Sequence, residues 1–327
     1  MNIKKNQSLT KKIFSTNQKF KKLSENLFSF LNEDISLNQT QTENAFSKKW
    51  NMIDYNGSDF KQLENHSKNW YLDLYGFKNE NDFKIFLKNS EIILDAGCGP
   101  GHKAAWMAEL NPEALVIAVD ISDSIFSASK HYKHLKNIIW IKGNLGDMPY
   151  FDNNFFNYVS CDQVIMHTTN PFLTFKELNR ITSRGGQLSV YVYRKKAVPR
   201  ELLDEYFRHE TKKINHKDLS DLSLQLTELG KMLSSLDIEL DFPDIPLLDI
   251  KGGKMDLQRF IYWNFIKCFW DDEMGQKNSY LINYDWYAPS QAQRYTEEEF
   301  KKWISDQKLE HVYFHKENAC FSGRFQK

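Results

Sequence analysis

The sequence predicts a doubly wound α/β fold built on a mainly parallel, seven-stranded sheet. Three observations predict it. Between residues 91 and 193, short apolar runs alternate with helical segments of roughly ten residues. The first run, Ile92-Ile93-Leu94-Asp95, leads straight into a glycine turn, Gly97-Cys98-Gly99-Pro100-Gly101. The second, Leu115–Val119, also closes on an acid, Asp120. Strands buried on both faces read as continuous apolar stretches, and the helices between them carry right-handed crossovers.

Residues 1–40 read as a flexible basic extension. Its first 23 residues hold seven lysines (Lys4, Lys5, Lys11, Lys12, Lys19, Lys21 and Lys22) and no acid. Phe14, Phe20, Leu23, Leu27, Phe28 and Leu31 suggest a weak amphipathic helix in its second half. Residues 41–90 form an aromatic, helical N-terminal cap, in which Phe46, Trp50, Trp70, Tyr71 and Tyr75 are candidates to line a site. The core then runs over residues 91–193: strands EIILDAG, ALVIAVD, IIWIKGN, FFNYVSCD and GGQLSVYVY, separated by helices such as HKAAWMAEL and PFLTFKELNRI.

The alternation stops after Tyr193. Residues 194–295 read as a helical insertion after the fifth strand, and as a lid over the substrate. Its segment DLQRFIYWNFIKCFW spaces Leu257, Ile261, Phe265 and Phe269 four residues apart, predicting one helix through Phe269. The core resumes over residues 296–327. Thr296, with Glu299 three residues on, is a capping box for a helix. LEHVYFHKE and ACFSGRFQK then form an antiparallel hairpin.

Composition narrows the class. The formal net charge is zero, which argues against a nucleic-acid partner. The 24 Phe, 15 Tyr and 8 Trp suit both a core and a pocket for a small organic ligand. The four cysteines (Cys98, Cys161, Cys268 and Cys320) form no CxxC pair, so neither a zinc ribbon nor a disulfide framework is expected, and no metal. No apolar stretch reaches membrane-spanning length, and no apolar core follows the basic N-terminus as in a secretory signal. The expectation is a soluble, cytoplasmic protein; a homodimer is left open.

The glycine turn carries the sharpest signal. Glycines allow positive φ and close approach of the backbone to a ligand. The spacing is GxGxG, and His102 stands where a dinucleotide-binding loop places its third glycine, which weakens a nicotinamide reading. Asp120, at the carboxyl end of the second strand, is placed to accept from both hydroxyls of a ribose. The third strand ends at Asn144-Leu145, where a polar side chain can meet a base edge and an apolar one its face.

LDAGCGPG, VIAVDIS, KGNLGDMPYFDNNFFNYV and ITSRGGQLSV resemble, in order and spacing, the four sequence motifs of class I S-adenosylmethionine-dependent methyltransferases. The resemblance implies the Rossmann-like methyltransferase fold. It also implies S-adenosylmethionine as cofactor and S-adenosylhomocysteine as product. Gly97, Cys98, Gly99 and Gly101 would pass beneath the methionine part, with Asp95 orienting that loop or meeting the amino group. Asp120 and Ile121 would hold the ribose, Asn144 and Leu145 would frame the adenine, and Cys161 would begin the loop facing the sulfonium. Asn144 departs from the usual acid at its position. The flanks, TENAFSKKW, VYRKKAVPRELLDEYFR and YDWYAPSQAQRYTEEEFKKW, resemble a narrower bacterial group of methyltransferase-domain proteins with a helical lid insertion. Many of that group carry a cysteine-rich zinc module, whose cysteines this chain lacks.

Methyl transfer needs an oriented nucleophile, and a base only where the acceptor must lose a proton. His167 is the first candidate base and Asp162 the second, both in the segment after the fourth strand. Arg200, Arg259, Trp263, Trp286, Tyr287 and Arg294 are candidates to bind the acceptor, either a polar ring such as a sugar or a phosphate or carboxylate. The function expected is O-methylation of a small molecule, a sugar or natural product. Two rivals stand beside it: an RNA methyltransferase using the basic arm, and a non-catalytic cofactor-binding protein.

Overall fold

The computed structural model describes residues 19–30, 36–210 and 213–327. In chain order the elements begin with β1 (Lys21–Lys22), β2 (Leu27–Ser29) and helices Leu37–Asn51, Ser58–Tyr75 and Glu80–Leu87. Then come β3 (Ile92–Ala96), helix His102–Leu110, β4 (Leu115–Asp120), helix Ser124–His131, β5 (Ile138–Lys142) and β6 (Phe156–Cys161). A 3₁₀ turn, Ile165–His167, precedes helix Pro171–Ile181 and β7 (Thr182–Arg194). Helices Val198–Glu210 and His216–Ser234, β8 (Glu239–Phe242), β9 (Gly253–Asp256) and helices Leu257–Asn264 and Gly275–Tyr287 follow. Last are β10 (Arg294–Tyr295), helix Glu297–Asp306, β11 (Glu310–Lys316) and β12 (Cys320–Gln326).

The main sheet runs β1-β2-β5-β4-β3-β6-β7-β12-β11, with β10 against β7. Strands β2, β5, β4, β3, β6 and β7 pair in parallel, while β12 pairs antiparallel with both β7 and β11. The chain winds outward from β3 in both directions, so the strand order reverses between β3 and β6. Ligands of doubly wound sheets lie outside the carboxyl ends of the strands at such a reversal. Here those ends are Asp95-Ala96 and Cys161. Every residue of β3 and β4 is buried, as helix-covered strands require.

The seven expected strands are present, and β1, β2 and β10 enlarge the sheet to ten. The N-terminal segment corrects the sequence reading. Leu27 and Phe28 form a strand, not a helix, and lie parallel to β5 with Leu27 opposite Trp140. The edge of β5 decides this: Trp140 N–H donates to Asn26 C=O (2.8 Å), and Phe30 N–H donates to Lys142 C=O (2.9 Å). An unpaired sheet edge thus outweighs a weak helical pattern. Phe30 then stacks on Tyr150 with ring centroids 4.0 Å apart. Phe14, Leu31, Lys4, Lys5, Lys11 and Lys12 lie outside the described residues.

The chain divides into two compact units. One comprises the described residues up to 36 with 67–193 and 293–327; the other comprises 37–66 and 194–292. The division falls inside the stretch read as one cap, 41–90. Phe46 and Trp50 belong to the second unit; Trp70, Tyr71 and Tyr75 belong to the first. In the second unit the segment expected as one helix through Phe269 stops at Asn264. Beyond it the chain is held open by side chains: Gln258 Nε2 donates to Cys268 C=O (2.7 Å), and Asn283 bonds both the N–H and the C=O of Phe269. The expected capping box forms at Thr296 and Glu299. Among the described residues no helix is long and apolar enough to cross a membrane.

Candidate functional site

The exit of β3 is a backbone cradle. Gly97, Gly99 and Gly101 have φ of +82°, +51° and +83°, which side-chain-bearing residues adopt only at a cost. A Cβ on Gly97 would stand 2.4 Å from both methyl groups of Val164. The Gly97 and Cys98 N–H groups donate to Val119 C=O at 2.7 and 3.0 Å, tying the loop to β4. Gly101 N–H donates to Cys98 C=O, and helix His102–Leu110 begins at the next residue.

Asp120 braces the same loop. Its Oδ2 accepts from Gly99 N–H at 2.7 Å, and its Oδ1 accepts from the N–H and hydroxyl of Ser122 at 2.8 and 2.6 Å. A carboxylate offers about four lone-pair sites. Three protein donors leave room for one more hydrogen bond, on Oδ2. That is narrower than the sequence reading, which gave Asp120 two ligand hydroxyls. Ile121 is half-buried beside it. Asn144 is half-buried, and its Oδ1 accepts from Gly146 N–H at 3.0 Å. Leu145 is buried in the main hydrophobic cluster with Met148 and Tyr150.

Asp95 is the unusual group. It is 2% exposed, and its Oδ2 has no hydrogen-bond partner among the described residues. Burial pushes its carboxyl up to about 7; Lys103 opposes the rise, while Asp162 and Asp120 add to it. The thiols of Cys98 and Cys161 are also raised, first by burial and then by nearby carboxylates, so both stay protonated.

At the end of β6, the sequence candidates separate. Asp162 is buried in an ion pair with Lys103 and accepts from Tyr75 Oη (2.8 Å) and Gln163 Nε2 (3.2 Å). A carboxylate so engaged positions its neighbours and is poorly placed to take a proton. His167 is buried on the 3₁₀ turn, its ring edge-on to Tyr193 with centroids 5.5 Å apart. Sequence reasoning missed Lys103, although a lysine one residue into an apolar helix, next to a glycine turn, was a signal. It also missed the hydroxyl chain beneath the site. Tyr71 Oη meets Tyr158 Oη at 2.5 Å and donates to Ser160 Oγ at 2.9 Å, and Tyr158 meets Ser189 Oγ at 2.7 Å.

In the second unit Arg200 is 1% exposed. Its Nε donates to both oxygens of Asp204 at 3.0 and 2.9 Å, and its Nη1 to Tyr262 C=O. Arg259 donates to Trp270 C=O (3.1 Å) and pairs with Asp271 (3.8 Å). Tyr287 Oη donates to Asp204 at 3.3 Å, and Trp286 is buried. Trp263 is half-buried beneath the Lys196 ammonium, 5.2 Å from its ring centroid. Arg294 belongs to the first unit, on β10. On the β11–β12 turn, ligand atoms of His315, Glu317 and Cys320 lie within 4.8 Å of one another, a set chemically able to hold a cation.

Residues 94–190 match the model of a methyltransferase domain family. This stretch of the chain is a methyltransferase domain similar to those of class I S-adenosylmethionine-dependent enzymes. An uncharacterised methyltransferase of Schizosaccharomyces pombe is 30% identical over 110 residues, which is 31% of this chain and 39% of that one. A malonyl-[acyl-carrier protein] O-methyltransferase of Legionella pneumophila is 32% identical over 97 residues, 29% of this chain and 34% of that one. The chain thus matches between 34% and 39% of the length of these curated relatives. Among solved structures, a SAM-dependent methyltransferase from Aquifex aeolicus aligns over 78% of this chain and 90% of its own, at 13% identity and a TM-score of 0.40.

The residues present fit the cofactor of that class of enzymes. The unpartnered Asp95 Oδ2 suits an ammonium group, the glycines hold the positive φ of the loop beside it, and Asp120 keeps one acceptor site. Asp95 also makes the fit testable by pH. Its folded value, about 7, lies above the ordinary 3.8. The folded chain therefore holds this proton more tightly than the unfolded one. The associated stability is complete below the ordinary value and is lost as pH rises through about 7. A cationic ligand group selects the ionised carboxylate. Affinity for S-adenosylmethionine is expected to rise with pH below about 7, approaching tenfold per unit, with proton release on binding. Calorimetry in buffers of different ionisation enthalpy measures that proton. Asp95→Asn should remove the slope, and a slope that survives the substitution would assign it elsewhere.

Proposed function

We propose that the protein is a methyltransferase that moves a methyl group from S-adenosylmethionine to an oxygen of a small molecule. The observation that carries this reading is the unpartnered, buried Asp95 carboxylate oxygen beside a positive-φ glycine loop braced by Asp120. S-adenosylmethionine, when bound, supplies a methyl carbon already activated by the neighbouring sulfonium. The protein's part is then to orient the acceptor and keep water out. Gly97, Gly99 and Gly101 give the close backbone approach, and Asp120 takes one ribose hydroxyl. His167 takes the proton of the acceptor hydroxyl as its oxygen attacks; burial beside Tyr193 keeps the imidazole out of bulk water. Asp162, held by Lys103 and Tyr75, fixes the loop that presents His167. Acceptor recognition falls to the aromatic and cationic side chains of residues 194–292. The similarity to an O-methyltransferase of Legionella pneumophila supports oxygen as the atom modified.

Isothermal titration with S-adenosylmethionine tests the reading directly. Binding is expected, and no heat at any concentration would remove the proposal. Asp120→Ala should weaken that binding by about 1–3 kcal/mol, the loss of a hydrogen bond to a charged acceptor. Unchanged affinity would refute the ribose role.

A further inference from the structure

We infer that the second unit contains an oxyanion site centred on Lys267, built for a carboxylate or phosphate group on the methyl acceptor; this rests on the small-molecule methyltransferase reading above. Lys267 is 6% exposed, just past the end of helix Leu257–Asn264. Its Nζ donates to Tyr262 Oη at 2.9 Å. Around it stand the rings of Trp286, Tyr262 and Phe269, with centroids 4.8, 5.0 and 5.7 Å from the ammonium.

What Lys267 lacks is a counter-charge. Among the described residues no carboxylate oxygen lies within ion-pair distance of its Nζ. The acids of the unit that face its neighbours are already engaged. Asp204 accepts from Arg200 on both oxygens and from Tyr287. Asp271 pairs with Arg259 and accepts from Met274 N–H at 3.0 Å. Arg200 lies over the same two rings, 5.2 Å from Trp286 and 5.5 Å from Tyr262, so one positive charge is left over in the cluster.

A buried ammonium without a carboxylate is costly, and ring faces offset only part of that cost. It also has three N–H donors, of which Tyr262 takes one. Two donors and one unbalanced charge, walled by aromatic rings, match a single oxyanion carried on an apolar or cyclic body. Arg200 and Arg259 do not offer this, because their charges are matched inside the protein by Asp204 and Asp271. The signal lay in Lys267 itself, set in the apolar run IKCFW.

The test compares thermal melting of the whole chain and its Lys267→Met variant, at constant ionic strength in chloride, as inorganic phosphate or acetate is titrated in. Methionine keeps the length and removes the charge. Without either oxyanion the variant is expected to melt at or above the parent temperature. Phosphate, acetate or both should raise the parent's melting point by about 2–4 °C with saturation and leave the variant unchanged. A response to phosphate alone points to a phosphorylated acceptor, and a response to acetate alone to a carboxylic acid. A variant that melts lower under every condition, or an equal rise in both proteins, makes Lys267 a structural cation and overturns the site. S-adenosylmethionine affinity is measured in parallel and should match in the two proteins. If neither binds it, the underlying reading fails. If both bind it and no anion distinguishes them, only the oxyanion site fails.

Discussion

Gly97→Ala is expected to weaken S-adenosylmethionine binding by about 100-fold and to lower the melting temperature. Two costs combine. Holding an alanine in the left-handed region costs about 1–2 kcal/mol. The added methyl must also displace Val164, whose two methyl groups would lie 2.4 Å away, and overpacking of this kind costs about 1–3 kcal/mol. The displacement would not stay local. Val164 C=O accepts from His167 N–H at 2.9 Å, so a shift of Val164 moves the residue proposed as the base. Val164→Ala in the same chain should restore part of the affinity. The rescue is partial because the Val164 Cβ itself would be only 2.8 Å from the new methyl. Calorimetry and thermal melting of the two variants measure this. Parental affinity in Gly97→Ala would mean that the loop does not need its close packing on Val164.

Lys103→Met is expected to destabilise the first unit by about 3–5 kcal/mol, the usual cost of leaving one member of a buried ion pair alone. The Asp162 side chain is 1% exposed and would keep only Tyr75 and Gln163 as donors. Replacing both partners, Lys103→Met with Asp162→Leu, should recover much of the loss, so the two single effects should not add. Chemical denaturation of the three variants reads the coupling. Strict additivity would dissolve the pair as a unit. A second consequence separates structure from chemistry. Lys103 is the main positive charge opposing the rise of the Asp95 carboxyl, so its removal should move the pH dependence of cofactor binding above about 7. A catalytic role for Asp162 predicts the opposite pattern for Asp162→Asn, with stability retained and turnover lost.

The core of the fold was legible because its strands are buried on both faces and end in recognisable residues. Ile92–Ala96 and Leu115–Asp120 could be read one after the other, each closing on an acid. The strand at Leu27–Ser29 was not legible, because three residues carry no period and its partner, β5, lies more than a hundred residues away in sequence. The premature end of helix Leu257–Asn264 was hidden for a similar reason. The i+4 spacing of Leu257, Ile261, Phe265 and Phe269 continues through it, while Asn283 and Gln258 redirect the backbone from elsewhere. In the site, the glycine loop and Asp120 follow from local sequence. Which charges are balanced does not. Arg200 looked free in the sequence and is matched by Asp204, whereas Lys267 looked ordinary and is unmatched. Charge pairing is a property of the packed chain.

The position of β12 bears on how the molecule is made. It lies between β7 and β11, and its register with β7 runs from Cys320 opposite Tyr193 to Gln326 opposite Gln187. About 125 residues must be synthesised between the end of β7 and the start of β12, which takes roughly 6 to 25 s at ordinary elongation rates. Throughout that interval the nascent chain presents the β7 edge without β12, while residues 194–292 are already emerging. A newborn chain therefore passes through a long stage in which an apolar strand edge is open to other chains on the same polysome.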